Sequence, residues 1–323
     1  GALPSVDPMR RNAGFSTSGL LLLRAIGLRS VLLLVVVLAL APPAHGHALL
    51  AADAPMQASA STLSGVKAIA LGDRHSCALL NSGAVVCWGL NTSGQLGDGT
   101  KTNRRTPVGV SGLSSGIVAI SAGYQHSCAV TAAGAAKCWG NNGSGQIGDG
   151  TDVERLLPTT VSGLASGVKA ISAGYFHTCA LTTNGTAKCW GSNSSEQLGN
   201  ELNGGIVPTD VIGLSSGVQA IVAALEHTCA LTSAGGVKCW GQNFDGQLGN
   251  GSTSTPRATP QDVQGLSSGV KAIAATSGGK HTCALTSGSG VKCWGVGKYG
   301  RLGTGAFLDF ASSPVNVVGL SNG

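Results

Sequence analysis

Short apolar runs of five to seven residues alternate along most of the chain with turns rich in glycine, asparagine and serine. In one representative stretch, such runs cover residues 217–223, 227–231 and 236–241. Runs of this length between turn residues predict β-strands. After a Gly-Gln-Leu-Gly turn and a variable stretch with two prolines, we expect a short outer strand at 261–263. The pattern thus predicts units of four strands.

The same unit recurs five times, marked by a His-x-Cys-Ala step and, ten residues after its cysteine, by Cys-Trp-Gly. Successive units lie 50 to 54 residues apart, a period typical of repeat proteins built from small sheets. Four strands in a unit of this length are typical of a propeller blade. The predicted fold is an all-β propeller over residues 61–323, with repeats at 63–113, 114–164, 165–214, 215–266 and 267–320.

The hairpin between the second and third strands of each unit has a register that its own residues indicate. If Cys77 lies opposite Cys87, the turn is centred on 81–83, a suitable Asn-Ser-Gly sequence. His75 then faces a glycine and the tryptophan faces a serine, so that large residues meet small ones. This packing pattern predicts structural roles for His75, His126, His177, His227 and His281, and for Trp88, Trp139, Trp190, Trp240 and Trp294.

All ten cysteines belong to the recurring unit, two in each. Opposed cysteines on antiparallel strands lie within reach of a disulfide, and closing a loop of about 11 residues would stabilise the fold by about 3 kcal/mol. The predicted pairs are Cys77 with Cys87, Cys128 with Cys138, Cys179 with Cys189, Cys229 with Cys239, and Cys283 with Cys293. The alternatives are free buried thiols, or a zinc site in each blade, for which no fourth ligand repeats. We predict no metal and no cofactor.

Residues 1–48 contain the parts of a secretory signal: a basic stretch, an apolar run over 31–40 and small residues suited to cleavage. A retained membrane anchor is the alternative, although Arg24 and Arg29 interrupt the longer apolar stretch. Residues 49–60 are expected to form a linker. We therefore expect an extracellular or cell-envelope location, with no stable membrane span after cleavage.

Composition and charge exclude two classes of protein. The chain has 51 glycines but is 42% hydrophobic, and a disordered chain would lack that apolar fraction. From residue 61 onward, the chain has sixteen basic and twelve acidic residues, a net positive charge spread over a large surface. This excess is too dilute for binding phosphate backbones, so no nucleic-acid partner is predicted.

The recurring motif resembles the regulator-of-chromosome-condensation repeat, Gly-x-x-His-[Ser/Thr]-x-Ala-Leu followed by Trp-Gly-x-Asn-x-x-Gly-Gln-Leu-Gly, as at 123–130 with 138–143 and at 174–181 with 190–199. The resemblance implies a β-propeller, usually of seven blades. Because five repeats are present and the chain stops where a further Gly-Leu-Ser-Ser-Gly-Val unit would start, we expect a truncated chain. The tryptophan that plant ultraviolet photoreceptors of this family carry in Gly-Trp-Arg-His is replaced in every unit, so photoreception is not predicted.

Two places vary between the units while the rest is nearly constant: the pair before each histidine and the stretch after Trp-Gly. Equivalent loops of a propeller converge on one end of the ring, and unlike loops on a rigid frame make a binding surface. Drift at unconstrained surface positions is the alternative. The candidate partner-binding residues are Arg74, Tyr124, Gln125, Tyr175, Phe176, Glu226, Phe244, Lys280 and Tyr299.

The variable loops and the export signal favour a secreted or surface-displayed scaffold that binds another protein, including inhibition of an enzyme, as by the exported β-lactamase-inhibitor propeller of similar fold. The alternative is an adhesion module that binds carbohydrate on a cell surface. Guanine-nucleotide exchange, the activity of the nuclear relative, is a minor alternative because it requires an intracellular GTPase. No Ser/His/Asp set or carboxylate pair stands out, so the chain is predicted not to be an enzyme.

Overall fold

The computed structural model describes residues 62–320; the predicted signal region and linker lie outside the described residues. Residues 62–320 form twenty β-strands and one 3-10 turn at Lys298–Gly300. The strands make five antiparallel sheets of four, one for each repeat. The same residues contain no helix long and apolar enough to cross a bilayer. The predicted all-β class and the four-stranded unit are confirmed.

Each sheet, or blade, takes its strands in chain order, and the first strands of successive blades lie side by side. Blade 1 contains β1 (Val66–Leu71), β2 (His75–Leu80), β3 (Val85–Gly89) and β4 (Arg104–Gly109). Blade 2 contains β5 (Ile117–Ala122), β6 (His126–Thr131), β7 (Ala136–Gly140) and β8 (Arg155–Thr160). Blade 3 contains β9 (Val168–Ala173), β10 (His177–Thr182), β11 (Ala187–Gly191) and β12 (Gly205–Asp210). Blade 4 contains β13 (Val218–Ala223), β14 (His227–Thr232), β15 (Val237–Gly241) and β16 (Arg257–Asp262), and blade 5 contains β17 (Val270–Ala274), β18 (His281–Thr286), β19 (Val291–Val296) and β20 (Phe310–Asn316).

The hairpin register agrees with the sequence prediction in all five blades. Cys77 lies opposite Cys87, His75 opposite Gly89 and Ser76 opposite Trp88, and the other hairpins repeat these pairs. The Cα atoms of the paired cysteines are 4.1 Å apart, close to the separation of a non-hydrogen-bonded pair. Their sulfur atoms are 2.08 to 2.11 Å apart, at disulfide distance.

The outer strand of blade 4 begins earlier than the sequence pattern indicated. β16 runs over Arg257–Asp262, so the prediction of a strand at 261–263 was wrong at both ends, and Pro260 lies inside the strand. The other outer strands also contain a proline each, at Pro107, Pro158, Pro208 and Pro314. An edge strand tolerates proline because its outward side makes no ladder hydrogen bonds, and proline there discourages pairing with another chain.

The apolar core lies between successive blades. Each of four core clusters combines the cysteine pair of one blade with an alanine and the tryptophan of the next. Between blades 2 and 3, Cys128 and Cys138 pack with Ala180 and Trp190, all fully buried. Each blade is therefore stabilised chiefly by its neighbours, as expected for a repeat array.

Candidate functional site

Two connections of every blade lie at the same end of its sheet. The residue after Trp-Gly donates its backbone N–H to the carbonyl of the residue before the histidine, as from Leu90 to Arg74 at 2.8 Å. Equivalent bonds of 2.8 to 2.9 Å join Asn141 to Gln125, Ser192 to Phe176, Gln242 to Glu226 and Val296 to Lys280. We call this surface the loop face; it comprises the connections 72–74, 123–125, 174–176, 224–226 and 275–280, and 90–103, 141–154, 192–204, 242–256 and 297–309.

Three aromatic side chains from blades 2 and 3 pack together on the loop face. The rings of Tyr124 and Tyr175 are stacked with their centroids 4.0 Å apart. Phe176 contacts both edge-on, at 5.6 Å from Tyr124 and 4.4 Å from Tyr175. Phe176 is exposed and the tyrosines are half-buried. We call these residues the aromatic trio; the sequence predicted each as a candidate, and the structure brings them together.

A charged pair from blade 1 lies near the aromatic trio. The Arg74 Nε atom lies 3.2 Å from an Asp73 carboxylate oxygen. Burial raises the pKa of Tyr175 to about 12, its hydrogen bond with Tyr124 and the Asp73 carboxylate add to the rise, and Arg74 opposes it. A tyrosine hydroxyl is already protonated at neutral pH, and the raised pKa of Tyr175 extends its role as a hydrogen-bond donor to more alkaline pH.

The inner strands of blades 1 to 4 and the connection 275–280 of blade 5 line a cavity of about 280 Å³ at the end that carries the loop face. Ile69 and Leu71 line it from blade 1, and both are exposed. Ser121 and Ser172 line it from blades 2 and 3, and their Oγ atoms accept backbone N–H groups of the following blade at 2.9 and 2.8 Å. A hydroxyl that accepts in this way can still donate its own proton. The cavity therefore combines apolar surface with hydrogen-bonding groups.

The polar candidates of blades 2, 4 and 5 lie elsewhere on the loop face. Glu226 accepts a hydrogen bond from Gln242, and the Lys280 Nζ atom is 3.9 Å from an Asp245 carboxylate oxygen. Gln125 is half-buried in its short connection. These residues belong to the loop face but not to the aromatic trio.

The remaining two aromatic candidates do not belong to the trio. Phe244 is exposed in blade 4. Tyr299 is exposed in blade 5, where the Arg301 guanidinium lies 5.8 Å from the centre of its ring. Both residues lie on connections of the loop face, as the sequence predicted, but neither ring packs against the three rings of the trio.

One asparagine in each of blades 1 to 4 is a scaffold residue within the stretch that the sequence identified as variable. In blade 1, Asn91 Nδ2 donates to the carbonyls of Thr100 and Thr102 at 3.0 and 3.1 Å, and Asn91 Oδ1 accepts the N–H of Leu96 at 2.9 Å. Its equivalents are Asn142, Asn193 and Asn243, all buried. The candidate binding residues therefore do not include the whole stretch after Trp-Gly, because this asparagine belongs to the scaffold.

A hydrogen-bonded relay joins each blade to the next and uses the recurring histidine. His75 Nε2 is 2.8 Å from Ser127 Oγ, which donates to the backbone carbonyl of Gln95 at 2.9 Å. Trp139 Nε1 donates to the same carbonyl at 2.9 Å. The next two junctions repeat all three bonds, and the fourth repeats the histidine and tryptophan bonds. We call this arrangement the inter-blade relay.

The hydrogen-bond partner of the indoles in blades 2 to 5 was not predicted from the sequence. The hairpin register places each tryptophan opposite a Ser or Thr, as predicted, but the indole N–H donates to a backbone carbonyl of the preceding blade. The signal was the glutamine that recurs in Gly-Gln-Leu-Gly. Its carbonyl accepts two hydrogen bonds from the next blade at the first three junctions and the indole bond at the fourth, so its position matters at every junction.

The relay determines which histidine nitrogen carries the proton. Because the Ser127 hydroxyl gives its single proton to Gln95, His75 must donate from Nε2, which leaves Nδ1 unprotonated. The Nδ1 atoms of His75, His126 and His177 are buried without a partner within residues 62–320. Burial lowers the pKa of His126, His177 and His227 to about 3 and that of His75 to about 4. Imidazoles that are buried and neutral are unsuited to proton transfer with a substrate.

The zinc site considered as an alternative for each blade would use the recurring histidine and the two cysteines as its ligands. Sulfur atoms bonded to each other cannot serve as thiolate ligands, and the histidine Nε2 atoms at the four junctions already face Ser or Thr hydroxyls. Within residues 62–320, no three His, Cys, Asp or Glu side chains are grouped for a metal ion. A zinc site of this kind would require reduced cysteines and a broken relay.

Comparison with known proteins identifies the family. A family model described as the RCC1-like domain matches residues 44–322. The chain belongs to the RCC1-like domain family. The ultraviolet-B receptor UVR8 of Arabidopsis thaliana is 32% identical over 244 residues, which cover 75% of this chain and 44% of UVR8. The mitochondrial RCC1 domain-containing protein RUG3 of the same plant is 33% identical over 261 residues, 78% of this chain and 58% of RUG3.

Solved structures support the same fold. Human WBSCR16 superposes with a TM-score of 0.69 at 23% identity, covering 78% of this chain and 67% of that one. Yeast RCC1 (Prp20), in a complex with Kap60, gives the same TM-score and identity over 78% of this chain and 61% of the yeast chain. The RCC1-like domain described here spans 44 to 58% of the length of the two plant relatives.

The buried histidines of this RCC1-like domain predict a stability that depends on pH. Their folded-state pKa values lie below the ordinary value of 6.5, so the unfolded chain binds more protons at acidic pH. Stability is complete above pH 6.5 and is lost as the pH falls towards 3, by about 1.4 kcal/mol per pH unit for each such histidine. We expect guanidinium unfolding midpoints to be flat above pH 7 and to fall between pH 6 and pH 4.5.

The control compares two histidines. His177→Gln keeps an N–H donor for the Thr228 hydroxyl but removes a titrating group, so the pH slope should decrease by the share of one histidine. His281→Gln should change the slope less, because His281 is half-buried and burial lowers its pKa to a smaller extent. Equal midpoints at pH 7.5 and pH 5 in the unmodified chain would contradict the argument.

Proposed function

We propose that this RCC1-like domain is an exported scaffold that binds another protein through the loop face, with the aromatic trio and the adjoining cavity as the centre of the site. The aromatic trio is the observation that carries the proposal. Clustered aromatic side chains at the centre of a contact supply much of the binding energy in protein interfaces. Here they are presented on short connections that backbone hydrogen bonds hold to the neighbouring blade.

Rigidity supports binding over catalysis. The backbone N–H groups of Tyr124 and Tyr175 donate to carbonyls of the next blade, at 3.3 and 3.1 Å. A pre-ordered surface loses little conformational entropy on association. The recurring histidines, which would be the natural proton-transfer groups, are in the scaffold and are neutral. The surface is therefore better suited to recognition than to chemistry.

Two features support export. Five cysteine pairs at disulfide distance are typical of an oxidising compartment. The sequence of residues 1–48 has the pattern of a secretory signal. A partner is then sought among proteins outside the cytoplasm, which argues against the guanine-nucleotide-exchange alternative.

More specifically, we propose that the bound protein is an enzyme and that binding inhibits it. The aromatic trio projects from a surface beside a cavity, so a partner loop could enter the cavity while the trio packs beside it. A secreted β-lactamase is the first probe, because an exported propeller of similar fold inhibits a β-lactamase.

The trio variant Tyr124→Ala/Tyr175→Ala/Phe176→Ala tests the proposal. We expect it to weaken capture of a secreted partner by at least about a hundredfold, since each central aromatic contributes about 2 kcal/mol or more. Its unfolding midpoint should fall only slightly, because Phe176 is exposed and the two tyrosines are only half-buried. Affinity is measured by surface plasmon resonance against proteins of the extracellular medium and against the β-lactamase.

The matched control is Phe310→Ala, an exposed aromatic on the outer strand β20. It should bind as the unmodified chain does. Equal loss in both variants would reject the trio as the centre of the site. Selective binding on a glycan array, lost in the trio variant, would instead favour the carbohydrate alternative.

A further inference from the structure

The aromatic trio lies in a part of the loop face that carries only negative charge. The six loop-face connections of blades 2 to 4 contain seven acidic residues and no basic one. These are Asp149, Asp152, Glu154, Glu196, Glu201, Glu226 and Asp245. The strands and the opposite connections of the same three blades contain six basic and two acidic residues. Negative charge is therefore concentrated at the end of these blades that carries the trio. We call these six connections the acidic sector.

Neighbouring side chains neutralise only part of this charge. Asp149 forms an ion pair of 2.5 Å with Arg155 at the start of β8, while Arg257, at the start of β16, donates to a serine hydroxyl. Glu154 and Asp245 approach lysines of blades 1 and 5. Four carboxylates of the sector form no ion pair within residues 62–320: Asp152, Glu196, Glu201 and Glu226. Their charge remains available to a partner.

Glu226 lies in the short connection next to the one that carries two rings of the trio. It occupies the same position in blade 4 as Phe176 in blade 3, directly before the recurring histidine. The two connections are joined, because the Tyr175 N–H donates to the Ala224 carbonyl at 3.1 Å. The Glu226 carboxylate accepts a hydrogen bond from the neutral amide of Gln242, which leaves its charge uncompensated. The trio therefore has an anionic neighbour on the side of blade 4.

Blade 3 carries glutamates at two positions where the other four blades have glycine. Glu196 replaces the glycine that precedes the Gln-Leu-Gly step, and Glu201 replaces the glycine five residues further on. Both keep the left-handed backbone of those glycines, with φ of 64° and 58°. Their connection is joined to the trio, because the Ser192 N–H donates to the Phe176 carbonyl at 2.9 Å. Since glycine adopts this conformation more readily than glutamate, it can replace both residues and remove their carboxylates without disturbing the fold.

We propose that the protein bound by the loop face presents a segment rich in lysine or arginine to the aromatic trio. This inference rests on the proposed function and adds the chemistry of the partner. The faces of tyrosine and phenylalanine rings attract a cationic side chain, and the unpaired carboxylates of the acidic sector supply the complementary charge. An acidic segment would meet like charges there, which disfavours it. The trio thus contributes affinity, and the carboxylates select the charge of the partner.

Fluorescence anisotropy tests the proposal with a labelled peptide of alternating lysine and glycine and with the glutamate–glycine peptide of the same length. We expect the unmodified chain to bind the lysine peptide and not the glutamate peptide. Binding should weaken as salt rises from about 0.05 to 0.3 M, because salt screens exposed charges. Glu196→Gln/Glu201→Gln, which keeps the side-chain shape, should weaken binding by about three- to tenfold. The trio variant should weaken it at least as much.

Two further variants separate the local carboxylates from net charge and from folding. Asp210→Asn/Asp262→Asn changes the net charge equally, but at the other end of blades 3 and 4, where both aspartates are exposed and pair with lysines. This matched control should bind the lysine peptide nearly as the unmodified chain does. Glu196→Gly/Glu201→Gly should lose as much binding as the glutamine variant, with an unfolding midpoint that is unchanged or higher. Its lower affinity would then report the carboxylates rather than the fold.

Three results would overturn the proposal. The lysine peptide could fail to bind, or bind no better than the glutamate peptide. If the trio variant still loses capture of a secreted protein in that case, the scaffold function stands and only the cationic partner is wrong. The two aspartate and glutamate double variants could lose binding equally, which would indicate an effect of net charge alone. The trio variant could bind the lysine peptide fully, which would also contradict the trio as the centre of the site.

Discussion

Trp190→Ala destabilises the protein by about 3 to 5 kcal/mol, the usual cost of removing a fully buried tryptophan. The indole packs against Cys128 and Cys138 of the preceding blade, and its Nε1 atom donates to the Gln146 carbonyl at 2.9 Å. The substitution therefore leaves a cavity at a junction between blades and removes one of the two bonds to that carbonyl. The measurement is the free energy of unfolding in guanidinium at pH 7.5, followed by circular dichroism.

The chain supplies its own control for this prediction. Trp88 occupies the same position of the motif in blade 1 but is half-buried, and no preceding blade exists within residues 62–320. Trp88→Ala should therefore cost less, about 1 to 2 kcal/mol. Trp190→Phe retains most of the apolar volume and loses the hydrogen bond, so its cost should be intermediate. Equal losses at positions 88 and 190 would show that the indole stabilises its own hairpin more than the junction.

Removal of one cysteine pair, Cys179→Ala/Cys189→Ala, destabilises the protein by about 3 kcal/mol. A link that closes a loop of about 11 residues restricts the unfolded chain by roughly this amount. The experiment begins with thiol titration of the unreduced chain in denaturant, where we expect no free thiol among the 10 cysteines. Guanidinium unfolding of the double variant and of the unmodified chain then gives the difference in stability.

The matched variant is Cys283→Ala/Cys293→Ala in blade 5. Its loop has the same length, with a sequence separation of 10, so an effect on the unfolded state is equal for the two pairs. Cys283 is half-buried while Cys179 is fully buried. A larger loss of unfolding free energy in Cys179→Ala/Cys189→Ala would therefore measure what the packing of the buried sulfur atoms contributes. Ten free thiols in the unreduced chain would refute the disulfide prediction.

Local information in the sequence was sufficient for the blade. The Cys77–Cys87 register follows from a short turn and the alternation of side chains across two adjacent strands, which involve residues within about fifteen positions of one another. The strand ends that were predicted wrongly, at β16, depend on a partner strand across a long connection. The prolines mark the stretch before the expected strand as variable, but an outer edge tolerates proline and Pro260 lies inside β16.

Contacts between blades were beyond the reach of local patterns. His75 and Ser127 are 52 residues apart, and Tyr124 and Tyr175 come from different repeats. Each repeat specifies its own sheet, but the angle and offset between neighbouring sheets arise from the packing of tryptophans against cysteine pairs. The sequence by itself determined the repeat, the four-stranded blade and the opposed cysteines, because these depend on periodicity and turns. Only the tertiary structure decided which side chains meet across blades, because that depends on the packing of whole sheets.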